Sequence, residues 1–317
     1  MTVPLLATAR PTARAHGGLA RVVPLVTVVF ILALLLAPGL LSGIGPIDTT
    51  DAFLSPPSAE HWFGTDQLGR DVFSRTVFGA RPVLAASLLG VVVAVVAGVA
   101  LGVAAGVAPR WLNAVLMRVV DVLLALPVLL IALILIATAG SGIRSIVIAL
   151  GVAFTPGFAR VVESSVRKLR NAEYVQAAQV FGSTTLRTSV RHLLPNLMTE
   201  VVVLASSAVG WAVLTASTLS FLGLGVQLPQ PDWGSDLAAG ATSLATSWWL
   251  ATFPGAAITV TILLANFTGD QLMTLLDPRE GIRLRQNLPR FLGGRRPRPS
   301  RAVATEVRVP DAEREAA

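Results

Sequence analysis

Between residues 173 and 195 the chain reads EYVQAAQVFGSTTLRTSVRHLLP, a polar and basic stretch set between long apolar runs. Gln176, Ala177 and Ala178 are followed by Gly182 four places on, and Leu194 and Pro195 stand twelve and thirteen places after that glycine. These residues suit mechanical work rather than bond-making. Two alanines present a small surface that a groove on another protein can approach closely. Gly182 permits a turn or a tight contact that a Cβ would block, and Pro195 cannot continue a preceding helix, so it marks where the chain turns back into an apolar run. Groups for hydrolysis or redox chemistry are scarce. Cysteine is absent, which removes disulfides and thiolate sites. His16, His61 and His192 lie too far apart in sequence to suggest a metal-ligand spacing. The sole lysine, Lys168, follows Arg167, and Gly64-x4-Gly69 runs on into Arg70-Asp71, so the Gly-Lys-Ser/Thr of a phosphate loop is missing.

Other residues invite weaker readings. Glu200 is an acid inside an apolar stretch, a functional candidate by default. Near it Ser206, Ser207, Thr215, Ser217, Thr218 and Ser220 offer general hydrogen-bonding groups for a pathway, or bonds to their own helix carbonyls. Gly90, Ala94, Gly98, Gly102 and Gly106 recur every fourth residue and form a smooth helical ridge, fit for static packing or for a sliding contact with a partner subunit. The segment HWFGTDQLGRD holds Gly64 and Gly69 as turn residues, with Asp66, Arg70 and Asp71 available to pair. It suits either a contact surface for another protein or a structural cap.

The elements that must position these residues are membrane spans. Apolar residues make up 53% of the chain and charged residues 14%, against about 25% charged in soluble domains, and mean hydropathy is +0.70. About 20 apolar residues cross a hydrocarbon core, and six runs approach that length: Val22–Leu41, Val83–Val107, Val122–Ala139, Ile143–Ala159, Met198–Leu222 and Trp248–Phe267. The fourth, interrupted by Arg144 and Thr155-Pro156-Gly157, is the weakest, with a re-entrant segment as its alternative. The first is longer than the 7–15-residue core of a signal peptide and is read as a span. With the N-terminus in the cytoplasm, 21 of the 25 arginines and lysines fall on the cytoplasmic side, as the positive-inside rule asks. The net charge of +7 is therefore read as topology and lipid attraction, not as a nucleic-acid surface. The fold expected is all-α and polytopic, with six transmembrane helices, a cytoplasmic coupling helix and both termini cytoplasmic. Its parts are an N-terminal tail at 1–20, a membrane domain at 21–285 and an arginine-rich tail at 286–317.

The Gln-Ala-Ala segment resembles the loop by which permease subunits of ABC importers dock on their ATPases, with Gln176 in place of the family's glutamate and His192 in place of an isoleucine. HWFGTDQLGRD, the segment LSFLGLGVQLPQPDWGSD (219–236) and Leu275 to Arg279 resemble, in order, stretches of the second permease subunit of dipeptide, oligopeptide and nickel importers. The resemblance implies a non-catalytic multi-pass subunit of a bacterial cell membrane that binds no cofactor itself. It implies ATP and magnesium in two partner ATPases, a second homologous permease, an extracytoplasmic binding protein, and peptide cargo, with a nickel chelate or haem as alternatives. A different class, the ion-coupled secondary transporter, often carries charged groups at mid-membrane; the six runs lack central Asp, Glu, Lys or Arg. An intramembrane enzyme would need a His cluster, a Ser/Lys pair or an acidic pair, and the runs hold none.

Overall fold

The computed structural model describes residues 19–180 and 183–276. Most of the N-terminal tail and all of the C-terminal tail lie outside these residues, as does Gly182. Within them the chain is helical, with two isolated antiparallel bridges, Thr49 to Arg70 and Thr65 to Asp71, as its only extended pairing.

The helices, in order, are α1 (Leu19–Leu36), a single turn α2 (Pro38–Leu41), α3 (Val72–Val107), α4 (Arg110–Leu124), α5 (Val128–Ala139), α6 (Ile143–Arg170), α7 (Glu173–Val180) and α8 (Thr185–Thr188). A π turn, Ser189–Leu193, then leads directly into α9 (Leu194–Phe221), followed by α10 (Trp233–Ala241) and α11 (Trp249–Leu276). Helices α3, α6, α9 and α11 are each long and apolar enough to cross a membrane, and α4 with α5 qualify together although the pair bends by 92° at its break. Helix α1 contributes a shorter apolar stretch, Pro24–Leu36.

Packing fixes the directions. Along α3, Gly90 meets Leu150, Gly98 meets Phe158, Gly102 meets Val162 and Gly106 meets Val166. Partner numbers rise together, so α3 and α6 lie side by side and parallel. Parallel neighbours need a connection that returns from one end to the other, and α4 with α5 make that return. Helices α9 and α11 are antiparallel: Gly210 abuts Asn266 and Gly269 abuts Ser207. Helix α1 docks on α11 through a hydrogen bond from Thr268 Oγ1 to Thr27 Oγ1 at 2.9 Å.

The fourth run is a span as expected, whereas the third and second differ from the sequence reading. The fourth run is a continuous helix to Arg170 despite Pro156, because α6 is packed tightly on α3 over most of its length. The interrupted element is the third: Ala125-Leu126-Pro127 ends α4, and Pro127 disfavours helical backbone in the residue before it. The second run also starts earlier than Val83. Asp71 caps α3, its Oδ1 accepting from Ser74 N at 2.7 Å, so Arg75 and Arg81 belong to the helix rather than to an outer loop.

Candidate functional site

The coupling segment folds as α7, a break, and α8 running through a π turn into α9. Ala177 and Ala178 lie on α7, and Leu194 and Pro195 are the first two residues of α9; the π turn runs into them without a break, so Pro195 does not end the preceding helix as the sequence reading expected. Gln176 is exposed, its Nε2 donating to Asn171 O at 3.3 Å. What holds α7 to the bundle is Val175. It is fully buried in a cluster with Val162 and Val166 of α6, Leu193 of the π turn, and Leu197 and Val201 of α9, against Val99 and Val103 of α3. A force on α7 therefore bears on the roots of α3, α6 and α9 together. Glu200 sits beside this cluster and accepts from Ser165 Oγ at 2.5 Å.

The glycine ridge is filled by α6 of the same chain. A methyl group at Gly102 would come within 2.7 Å of Ala159 O and Val162 Cβ, and one at Gly106 within 2.5 Å of Val166 Cγ1. The backbones touch, which is what glycine at these positions allows.

The opposite end of the helices carries a polar cap built from the HWFGTDQLGRD segment. Gly64 and Gly69 have φ of +75° and +72°, and a methyl at Gly69 would fall 2.1 Å from Thr50 O. Asp66 Oδ1 accepts from the N–H groups of Leu68 and Arg70, and its Oδ2 accepts from Arg70 Nε at 2.6 Å. Asp71 Oδ2 lies 2.9 Å from His61 Nδ1. Arg75, buried, donates to Asp236 on α10 and to the carbonyls of Pro46 and Pro229. Two indoles complete the cap: Trp233 Nε1 donates to Thr76 O at 2.6 Å, and Trp249 Nε1 to Thr65 O at 3.1 Å. Phe63 stacks on Phe253 of α11 with ring centroids 3.8 Å apart.

Asp232 is buried, and Asp236 is largely so. Asp232 caps α10 through Gly234 N and Ser235 N. Burial pushes its carboxyl up to about 6, against the lowering effect of those N–H groups and of Ser220. Burial also raises Asp236, opposed by Arg75.

The hydroxyls of α9 mostly turn inward to their own helix. Ser206 donates to Val203 O at 2.8 Å, Thr215 to Trp211 O at 2.8 Å, and Thr218 to Leu214 O at 2.8 Å; Ser207 lies 3.4 Å from Val203 O. Thr215 and Thr218 are nonetheless half-buried beside the exposed Trp211 and Leu214, and with Pro127, Val128, Leu129 and Phe154 they line an apolar groove between α5 and α9.

Comparison with known proteins places this architecture. Residues 98–281 match the family described as binding-protein-dependent transport system inner membrane component. A putative peptide transport system permease protein of Brucella suis is 37% identical over 276 residues, covering 87% of this chain and 92% of the relative. The chain belongs to that permease family. Similar also are a dipeptide transport system permease protein of Alkalihalophilus pseudofirmus, 38% identical over 250 residues (79% of this chain, 82% of the relative), and a glutathione transport system permease protein of Shigella flexneri, 38% identical over 255 residues (79% and 84%). It is a multi-pass inner-membrane component of a transport system.

In this permease the 173–195 segment and the HWFGTDQLGRD residues fall at opposite ends of the helices, with Glu200 near the former. Three polar contacts escaped the sequence reading. Arg75 reaches Asp236 across 161 positions; nothing local announces that pair. Arg160 on α6 bonds Asp121 on α4, and both remain half-exposed. Glu163, almost wholly buried, accepts from Asn113 Nδ2 at 2.8 Å. A signal for the last two exists: Asn113, Met117 and Asp121 share one face of α4, and Arg160, Glu163 and Arg167 share one face of α6.

Proposed function

We propose that this permease is one of two homologous membrane subunits of an importer that moves di- or oligopeptides into a bacterial cell. A binding protein delivers cargo from outside, and two ATPase subunits hold the ATP and magnesium. This chain holds no cofactor and catalyses no bond cleavage; it converts ATPase closure into movement of its helices. The observation that carries the reading is α7, on which, among the described side chains, Gln176 is exposed and Val175 is buried against α6, the π turn and α9. A partner gripping Gln176, Ala177, Ala178 and Gly182 has a handle on the whole inner end of the bundle.

Six crossings and two cytoplasmic termini agree with the helix directions: α1 out, α3 in, α4 with α5 out, α6 in, α9 out and α11 in. The basic residues Arg167, Lys168 and Arg170 at the end of α6 then face the cytoplasm. The polar cap lies outside, where a binding protein docks on Asp66, Arg70 and their neighbours or where the cap serves to tie the helix ends. Peptide cargo is supported by the printed names of the relatives: peptide, dipeptide and glutathione permeases. The exposed groove of Trp211, Leu214, Thr215 and Phe154 suits such cargo, since its hydroxyls are already bonded and hold a passing solute only weakly.

Affinity purification of the chain from its native membrane, with mass spectrometry of what accompanies it, tests this. Recovery of a second permease and ATPases bearing phosphate loops is expected, and the binding protein recovered narrows the cargo. A homo-oligomer without ATPases would overturn the reading in favour of an ion-coupled transporter.

A further inference from the structure

At the inner end of the helices, between α3, α4, α6 and α7, lies a cavity of about 830 Å3 lined by Gly106, Arg110, Asn113, Arg167, Arg170 and Gln176 among others. Its charge is unbalanced. Three guanidinium groups face it, and the carboxylate that reaches them is Glu163, 3.4 Å from Arg167 Nη1 and already accepting from Asn113. Arg170 Nη1 is held by Gly106 O at 3.0 Å. Gln176 contributes no charge and leans back on Asn171 O. The rim continues into an apolar stripe: Trp111, Val115, Val119 and Val122, at helical spacing along α4, are all more than half exposed.

We infer that this cavity binds the phosphate of an anionic phospholipid from the cytoplasmic leaflet, with an acyl chain lying along the α4 stripe. The arginines match phosphate oxygens in geometry and charge. Basic pockets between transmembrane helices on this side are suited to such headgroups, and an exposed tryptophan beside the first arginine fits the headgroup level. The apolar stripe favours a lipid over a soluble anion, because a free phosphate leaves those four side chains uncovered. Since Gln176 lies in the cavity wall, the bound lipid would touch the root of the coupling helix, and leaflet composition would bear on coupling. Only the cytoplasmic placement of this end is borrowed from the importer reading.

The test is native mass spectrometry of the full complex, delipidated and then exchanged with phosphatidylglycerol or phosphatidylcholine. Wild type is expected to retain phosphatidylglycerol selectively. Arg110→Gln should reduce that retention about 5-fold, the equivalent of about 1 kcal/mol per basic residue at an anionic surface. Gln176→Glu should reduce it as well, by setting a carboxylate among the arginines. Arg118→Gln, exposed on α4 but outside this cavity, should leave retention unchanged. Equal retention of both lipids, or equal losses in the Arg110 and Arg118 variants, overturns the proposal. Displacement of the lipid by inorganic phosphate overturns it in favour of a soluble anion. Retention by the isolated permease that vanishes once the ATPases bind overturns it in favour of an acidic partner side chain. A complex that fails to assemble at all counts against the importer reading, not against the cavity.

Discussion

Replacing Gly98 with alanine adds one methyl group at the tightest point of the α3–α6 contact. That methyl would sit 2.4 Å from Phe158 Cβ, 2.9 Å from Thr155 O and 3.1 Å from Ala159 N. Two of these neighbours are backbone and the third is a Cβ, so no flexible side-chain end can swing away. Overpacking of this kind costs about 1–3 kcal/mol. Alanine also gains back about 1 kcal/mol in helix propensity over glycine, leaving a net loss of up to about 2 kcal/mol. Gly255 in α11 separates the two effects, because a methyl there meets only Leu237 Cδ1, at 3.6 Å. Gly255→Ala should be neutral or stabilising by up to about 1 kcal/mol, so the two variants should differ by about 1–3 kcal/mol, the overpacking cost alone. The assay is reversible unfolding in mixed detergent micelles, with yield of monodisperse complex as a second readout. Gly98→Leu should abolish that yield. If Gly98→Ala proves as stable as Gly255→Ala, the direct backbone contact between α3 and α6 is refuted.

Three further outcomes follow from the cap and the coupling segment. Arg75→Met should cost about 3–5 kcal/mol because it strands Asp236 as a buried charge, and adding Asp236→Leu should recover much of the loss in the same unfolding assay. Asp232, raised from 3.8 to about 6, binds its proton more tightly when folded than unfolded. The cap should therefore lose stability as pH rises from about 4 to 6 and lose no more above it, by roughly 3 kcal/mol in all. Asp232→Asn keeps the capping oxygen and should flatten that slope in a pH series. A bulky residue at Gly182 should leave the complex assembled but halt ATP-dependent uptake in proteoliposomes; unchanged uptake would show that the turn is not where the ATPase grips.

The sequence spoke most clearly where a physical requirement is local. Runs of about 20 apolar residues are legible because a bilayer demands them, and the four-residue glycine spacing is legible because helical periodicity puts those positions on one face. Gly64 and Gly69 read correctly as turn residues for the same reason. Legibility failed where distant residues decide. Pro156 looks like a break in isolation, yet α6 continues through it because α3 packs along its length; Pro127 looks no stronger, yet with little packed over Leu126 it marks a 92° bend. Nothing in the sequence around Asp232 and Asp236 shows that α10 folds them under the cap. Arg75 counted as a loop charge because its partner is 161 residues away.

The two tryptophans of the cap donate to main-chain oxygens, not to side chains. A carbonyl is present whatever residue carries it. Mutational tolerance at these two joints should therefore be lopsided: Trp233 and Trp249 are held to a ring with an N–H, while the acceptor carbonyls of Thr76 and Thr65 remain whatever side chains those positions carry. The ends of α3, α10 and α11 are thus fastened through main-chain acceptors, and Thr65, whose buried hydroxyl also bonds Ser55 N and Ala52 O, is the more constrained of the two acceptor residues.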